Sequence, residues 1–150
     1  MNKKVCVKIK GLHDTNSPEE DEIEVIYIGS YYKRNGKHYV KYEEPMEGSS
    51  EVNHNTLKIS SNEVELMSKG STGHHMLFSL GKKSTTYYET PYGGLNMGVD
   101  TYDLEVIEED DSIQIDIRYG LEINLDFMSQ CRVCIKIESV GDNWYGNGYW

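Results

Sequence analysis

Four short stretches bring together side chains whose types could do chemistry. Cys131-Arg132-Val133-Cys134 has the spacing of a zinc or redox dithiol motif. Thiols three residues apart on a strand point to opposite faces, however, and no second cysteine pair completes a four-thiolate site. Cys131 inward and Cys134 outward, as plain strand residues, is therefore the expectation. His74 and His75 are adjacent and again fall on opposite faces, while His13, His38 and His54 show no ligand spacing, so no metal and no cofactor is expected. Glu43-Glu44 follows Tyr42, and paired carboxylates do acid–base work when burial raises one pKa. Alternation puts His38, Val40, Tyr42 and Glu44 on one face, which sends one carboxylate and one phenol inward. The competing reading is a strand end, where Pro45 stops pairing and Glu44 reaches water. Thr90-Pro91-Tyr92-Gly93-Gly94 reads as a shaped turn, because proline fixes φ and the glycines admit positive φ or close backbone approach. Such a loop could rim a binding mouth.

The elements that must position these residues are strands. From Ile113 to Phe127 every second residue is apolar, with Gln114, Asp116, Arg118, Glu122, Asn124 and Asp126 among the residues between. That period of two marks a strand with one wet face and one buried face. A run of 15 residues would extend about 50 Å, too long for one flat strand, so a bend is expected near Gly120 and a return through Met128-Ser129-Gln130 into Val133, Ile135 and Ile137.

The same alternation appears at Val5, Val7 and Ile9, and at Ile23, Val25, Tyr27, Gly29 and Tyr31. In the latter segment Ile26 and Ile28 make the opposite face partly apolar too. Asn35-Gly36 is a strong two-residue hairpin signal, because both residue types accept positive φ, so the flanking strands are paired neighbours. Leu95, Met97 and Val99 are odd-numbered whereas Tyr102, Leu104 and Val106 are even, which requires a β-bulge between Val99 and Tyr102 if all six face the core.

A chain of 150 residues fits one domain, expected over residues 1–140, with an aromatic, glycine-rich tail at 141–150 that holds both tryptophans. The net charge of −10 opposes non-specific binding to nucleic acid or anionic membrane, and neither is expected as a partner. No long apolar segment follows the N-terminus or occurs elsewhere, and three cysteines fit a reducing compartment, so a cytoplasmic location is expected. Twelve tyrosines against two phenylalanines suit strands whose rings pack while their hydroxyls meet water or a polar cavity. About ten strands joined by hairpins, with no credible helix, favour an all-β, antiparallel up-and-down barrel, the alternative being a two-sheet sandwich.

The order Tyr42-Glu43-Glu44, Leu57-Lys58-Ile59, Gly70, Phe78, Tyr88-Glu89-Thr90-Pro91-Tyr92-Gly93-Gly94-Leu95 with Val99-Asp100-Thr101, and Ile117-Arg118-Tyr119 resembles the YwiB-like family of small bacterial proteins. The resemblance covers roughly residues 3–139 and is most specific from Tyr88 to Thr101. It implies a calycin-type, lipocalin-like barrel of about 8 to 10 strands and a firmicute-like source, and it implies no activity. An arginine usual in the family shortly before the glycine at Gly70 is replaced here by Met67-Ser68-Lys69.

The function expected from these readings is non-enzymatic: a barrel whose interior or mouth binds a small, largely apolar molecule. Tyr42, Glu44, Tyr88, Thr90, Tyr119 and Arg118 are the residues placed near that site, Arg118 on condition that strand twist carries it to a rim. The alternative is a solid-core module that forms a homodimer through the Ile26/Ile28 face or the aromatic tail. A third, weaker reading uses Glu44 with a tyrosine as an acid–base pair.

Overall fold

The computed structural model describes residues 1, 3–12, 23–45, 48, 50–70, 74–90 and 93–141. Within them run ten strands: β1 (Lys4–Leu12), β2 (Ile23–Arg34), β3 (Lys37–Pro45), β4 (Val52–Ile59), β5 (Glu63–Lys69), β6 (His74–Ser79), β7 (Lys83–Thr90), β8 (Gly93–Glu108), β9 (Ser112–Ile123) and β10 (Asp126–Ser139). No helix occurs among the described residues. The aromatic tail from Asp142 and the acidic segment from His13 to Glu22 lie outside them, as does the Pro91-Tyr92 part of the expected turn.

Each strand pairs antiparallel with its neighbours in the order β6-β5-β4-β3-β2-β1-β10-β9-β8-β7. Pairing of β1 with β10, from Val5 opposite Ser139 to Leu12 opposite Arg132, joins the two ends of the meander. The two marginal strands, β6 and β7, are consecutive in sequence, and the turn between them is held by hydrogen bonds instead of a ladder. Lys82 N donates to Ser79 O (3.0 Å), Gly81 N to Thr101 O (2.9 Å) and Thr101 N to Lys82 O (3.1 Å). The result is a nearly closed antiparallel barrel, consistent with a calycin-like build, in which closure removes most of the free edge that an open sheet exposes.

Period-two alternation sets the inner wall. Val5, Val7, Val40, Leu57, Ile59, Val64, Ile113, Ile115, Ile117 and Ile137 point inward and are fully or almost fully buried. Burial of each such side chain contributes roughly 1.5 to 3 kcal/mol. Asn35 and Gly36 take φ of 53° and 77°, the left-handed pair expected of a tight hairpin between β2 and β3.

Two local readings of the sequence need correction. The register shift in β8 falls between Thr101 and Asp103, so Thr101 stays inward and Tyr102 is the extra residue, 49% exposed. A phase change can be placed at any residue between two apolar sets. Here it follows Thr101, whose backbone is tied to the β6–β7 turn. The run from Ile113 to Phe127 is also not one strand. β9 ends at Ile123, Asn124 and Leu125 turn with φ of 51° and 74°, and Phe127 belongs to β10. The paired strands pass through Gly120 without a register shift, and the irregularity lies between Phe127 and Ser129. Asparagine adopts positive φ readily, so Asn124 supplies the turn that apolar alternation concealed.

Candidate functional site

The inner wall changes character along β4 and β5. Leu57 faces Leu66 across that pair, Asn55 faces Ser68 one inward step away, and Asn53 follows on β4. On β3, Tyr42 stands opposite Asn55 and Glu44 opposite Asn53. An apolar stretch of barrel therefore gives way to a polar one toward the end where β3 leads into β4.

In the apolar stretch lies a cavity of about 110 Å³ lined by Ile9, Leu57, Val64, Leu66, Met76, Phe78, Tyr119, Val133 and Ile135. Phe78 on β6 meets Tyr119 on β9 edge to face, with ring centroids 5.0 Å apart, and the pair forms one side of the cavity. Its wall offers carbon almost throughout.

In the polar stretch, Ser68 Oγ donates to Asn55 Oδ1 (2.5 Å), and Asn55 Nδ2 donates to Glu44 Oε1 (3.1 Å). Tyr27 OH donates to Glu44 Oε2 at 3.5 Å, a long contact for this geometry. The Tyr27 and Tyr42 rings stack with centroids 4.7 Å apart and planes 23° from parallel. Burial raises both phenols above the ordinary tyrosine value, and the nearby Glu44 charge adds to it. Tyr42 is pushed up to about 12, with an Asn55 hydrogen bond opposing the shift. Both hydroxyls are thus neutral donors near neutral pH.

The opposite end of the barrel carries a second polar group. His38 is buried, its Nδ1 is 2.7 Å from Tyr31 OH, and its Nε2 is 3.2 Å from Glu108 Oε2 on β8. Glu108 only accepts, so Nε2 carries a proton and, in the neutral ring, Tyr31 donates to Nδ1. Lys33 Nζ reaches the other Glu108 oxygen at 3.9 Å. These contacts join β2 and β3 to β8, which they do not pair with, and brace the floor beneath the core.

The residues singled out in the sequence distribute unevenly over this plan. Tyr42 and Glu44 meet in the polar stretch, and Tyr119 lines the cavity. Tyr88 pairs with Leu95 and Thr90 with Gly93 on the β7–β8 hairpin, but their side chains lie outside the described set. Arg118 is exposed on the outer wall between Asp103 and Arg132, so strand twist does not carry it to the mouth. Nearby, Arg132 grips Asp116 with two bonds of 3.0 and 2.7 Å and holds that carboxyl below the usual range.

Cys131 is buried inward and Cys134 faces out beside Asp116, as the strand parity required. Burial, with the Asp116 charge, pushes the Cys134 thiol up. Among the described residues no group of three or more His, Cys, Asp or Glu is placed to hold a metal ion. His75 is bonded to Glu65 at 2.5 Å. Tyr27, Asn55 and Ser68 were not singled out from the sequence. Their signal was two asparagines at alternate positions, Asn53 and Asn55, which interrupt an inward stripe that then continues as Leu57 and Ile59.

Fold and interior together define a small antiparallel barrel with an apolar pocket below a polar rim. The chain belongs to the family described as Domain of unknown function (DUF1934), whose model matches residues 7–135. It is similar in structure to the ywiB protein from Bacillus subtilis, at 19% sequence identity over 93% of each chain and a TM-score of 0.76, a likeness that carries the fold. This agrees with the YwiB-like resemblance of the Tyr88 to Thr101 segment. None of the curated proteins matches the chain. No helix among the described residues is long and apolar enough to cross a membrane.

Proposed function

We propose that this protein is a non-enzymatic binder of a small, largely apolar molecule held in the barrel interior. The observation that supports this most directly is the cavity of about 110 Å³ beside Tyr119. Apolar cavities take apolar guests, and one somewhat larger, of roughly 150 Å³, holds benzene. The cavity here fits a compact group of about four to five carbons. Tyr42 and Glu44 sit at the polar rim and orient the guest. Acid–base chemistry is disfavoured, because a phenol pushed up to about 12 is a poor proton shuttle at neutral pH.

Native mass spectrometry of protein purified from its own host tests the reading, with a retained small molecule as the expected added mass. An interior probe gives the second arm: isobutanol should shift the NMR resonances of Leu57, Leu66 and Val133. No added mass together with no such shifts would refute the proposal.

A homodimer through the outer face of β2 is a second reading, supported by Ile26 and Ile28, which are 53% and 37% exposed and point the same way. Light scattering behind size exclusion separates the two, because a monomer at every concentration removes the module.

A further inference from the structure

We infer that the guest carries a cationic amine head, seated at Glu44 between the polar rim and the Tyr27–Tyr42 ring pair, with its short hydrocarbon body in the cavity below. This inference rests on the binding reading above and adds the chemical class of the ligand.

Three features of the rim carry it. Glu44 is half-buried and points inward, yet its hydrogen-bond partners, Asn55 Nδ2 and Tyr27 OH, are both neutral. Among the described residues no lysine, arginine or histidine forms an ion pair with it. A carboxylate partly withdrawn from water gains from a nearby positive charge, and no described residue supplies one through an ion pair. Oε1 has a firm donor at 3.1 Å, whereas Oε2 has only the Tyr27 hydroxyl at 3.5 Å. The second oxygen retains capacity for a stronger, charge-assisted donor such as an ammonium N–H.

The stacked Tyr27–Tyr42 pair meets the carboxylate through the Tyr27 hydroxyl, so the rings wall one side of the site without adding a charge of either sign. An anionic head, as in a fatty acid, would meet the like charge of Glu44.

Spacing fits a single short molecule. Asn55, which holds Glu44, is one inward step above Leu57, and two residues of strand span about 7 Å. A linear chain of roughly that length would span the distance from Asn55 at the rim to the cavity wall at Leu57. The net charge of −10 raises the local concentration of small cations around the molecule as a whole.

NMR titration of the full chain with n-hexylamine, n-hexanol and hexanoate tests the inference at low salt. Hexylamine is expected to bind about tenfold more tightly than the other two, and its advantage is expected to shrink as salt is added. In Glu44→Gln the ratio of hexylamine to hexanol affinity should fall toward one. Met76→Phe, at a partly buried wall position, should weaken all the ligands by reducing the cavity. Hexanol binding as tightly as hexylamine overturns the cationic head and leaves the cavity reading standing. Hexanoate binding most tightly does the same. Shifts from none of the three overturn both.

Discussion

Alkaline titration reaches the rim through one buried phenol. Tyr42 is only 6% exposed, and burial pushes its hydroxyl from the ordinary value near 10 to about 12. In the unfolded chain the same group ionises near 10. Between those values the unfolded state has released the proton while the folded state retains it, so rising pH drives unfolding. The stabilisation is complete below pH 10 and is lost as pH climbs through the folded value. Two units at 1.36 kcal/mol each set a ceiling of about 2.7 kcal/mol, of which about 1.4 is expressed by pH 11.

The perturbation is Tyr42→Phe, which removes the ionising group and keeps the ring stacked on Tyr27. Urea denaturation of both proteins at about pH 9 and pH 11 gives a difference in which lysines and the other tyrosines cancel. The difference should move by about 1.4 kcal/mol in favour of the phenylalanine variant. A difference that is flat across this range, or a Tyr42 ultraviolet titration near 10, would mean that the phenol is hydrated and that the rim is not built as described.

Three further outcomes follow from other parts of the barrel. Gly70 holds φ at 153°, and a Cβ there would overlap Asn53 Oδ1 and approach the Val52 carbonyl, so Gly70→Ala should cost about 2 kcal/mol in denaturant titrations. Leu125 occupies a left-handed turn position, φ 74°, while 87% exposed, and Leu125→Gly should raise the denaturation midpoint by a gain of about 0.5 to 1 kcal/mol. Asp116→Asn should cost under about 1 kcal/mol at neutral pH, because the Arg132 pair is partly exposed and screened. That contribution is present above the ordinary aspartate value and lost as pH falls through the lowered one, so wild type and variant should converge in acid denaturation.

Most strands, their inward parity and the β2–β3 hairpin were legible in the sequence, because side chains alternate with a period of two and Asn35-Gly36 admits positive φ. Cys131 inward and Cys134 outward followed from the same rule. The bulge was legible as a necessity but not as a place, since the change of phase between Val99 and Leu104 is satisfied by more than one residue. Leu125 and Phe127 misled because both are apolar and continue the alternation, although one is a turn residue and the other is 63% exposed.

Local chemistry therefore decided which residues form strands and which face of each is apolar. Tertiary structure alone decided how those faces meet. Tyr27 stands on a different strand from Tyr42 and Glu44, and Phe78 comes from β6 while Tyr119 comes from β9. Parity gives each residue a side of the sheet but not a partner across the barrel. Strand order, register and closure through β1 and β10 supply the partner, and with it a cavity, a carboxylate held by Asn55 and Tyr27, and an Arg118 that stays outside.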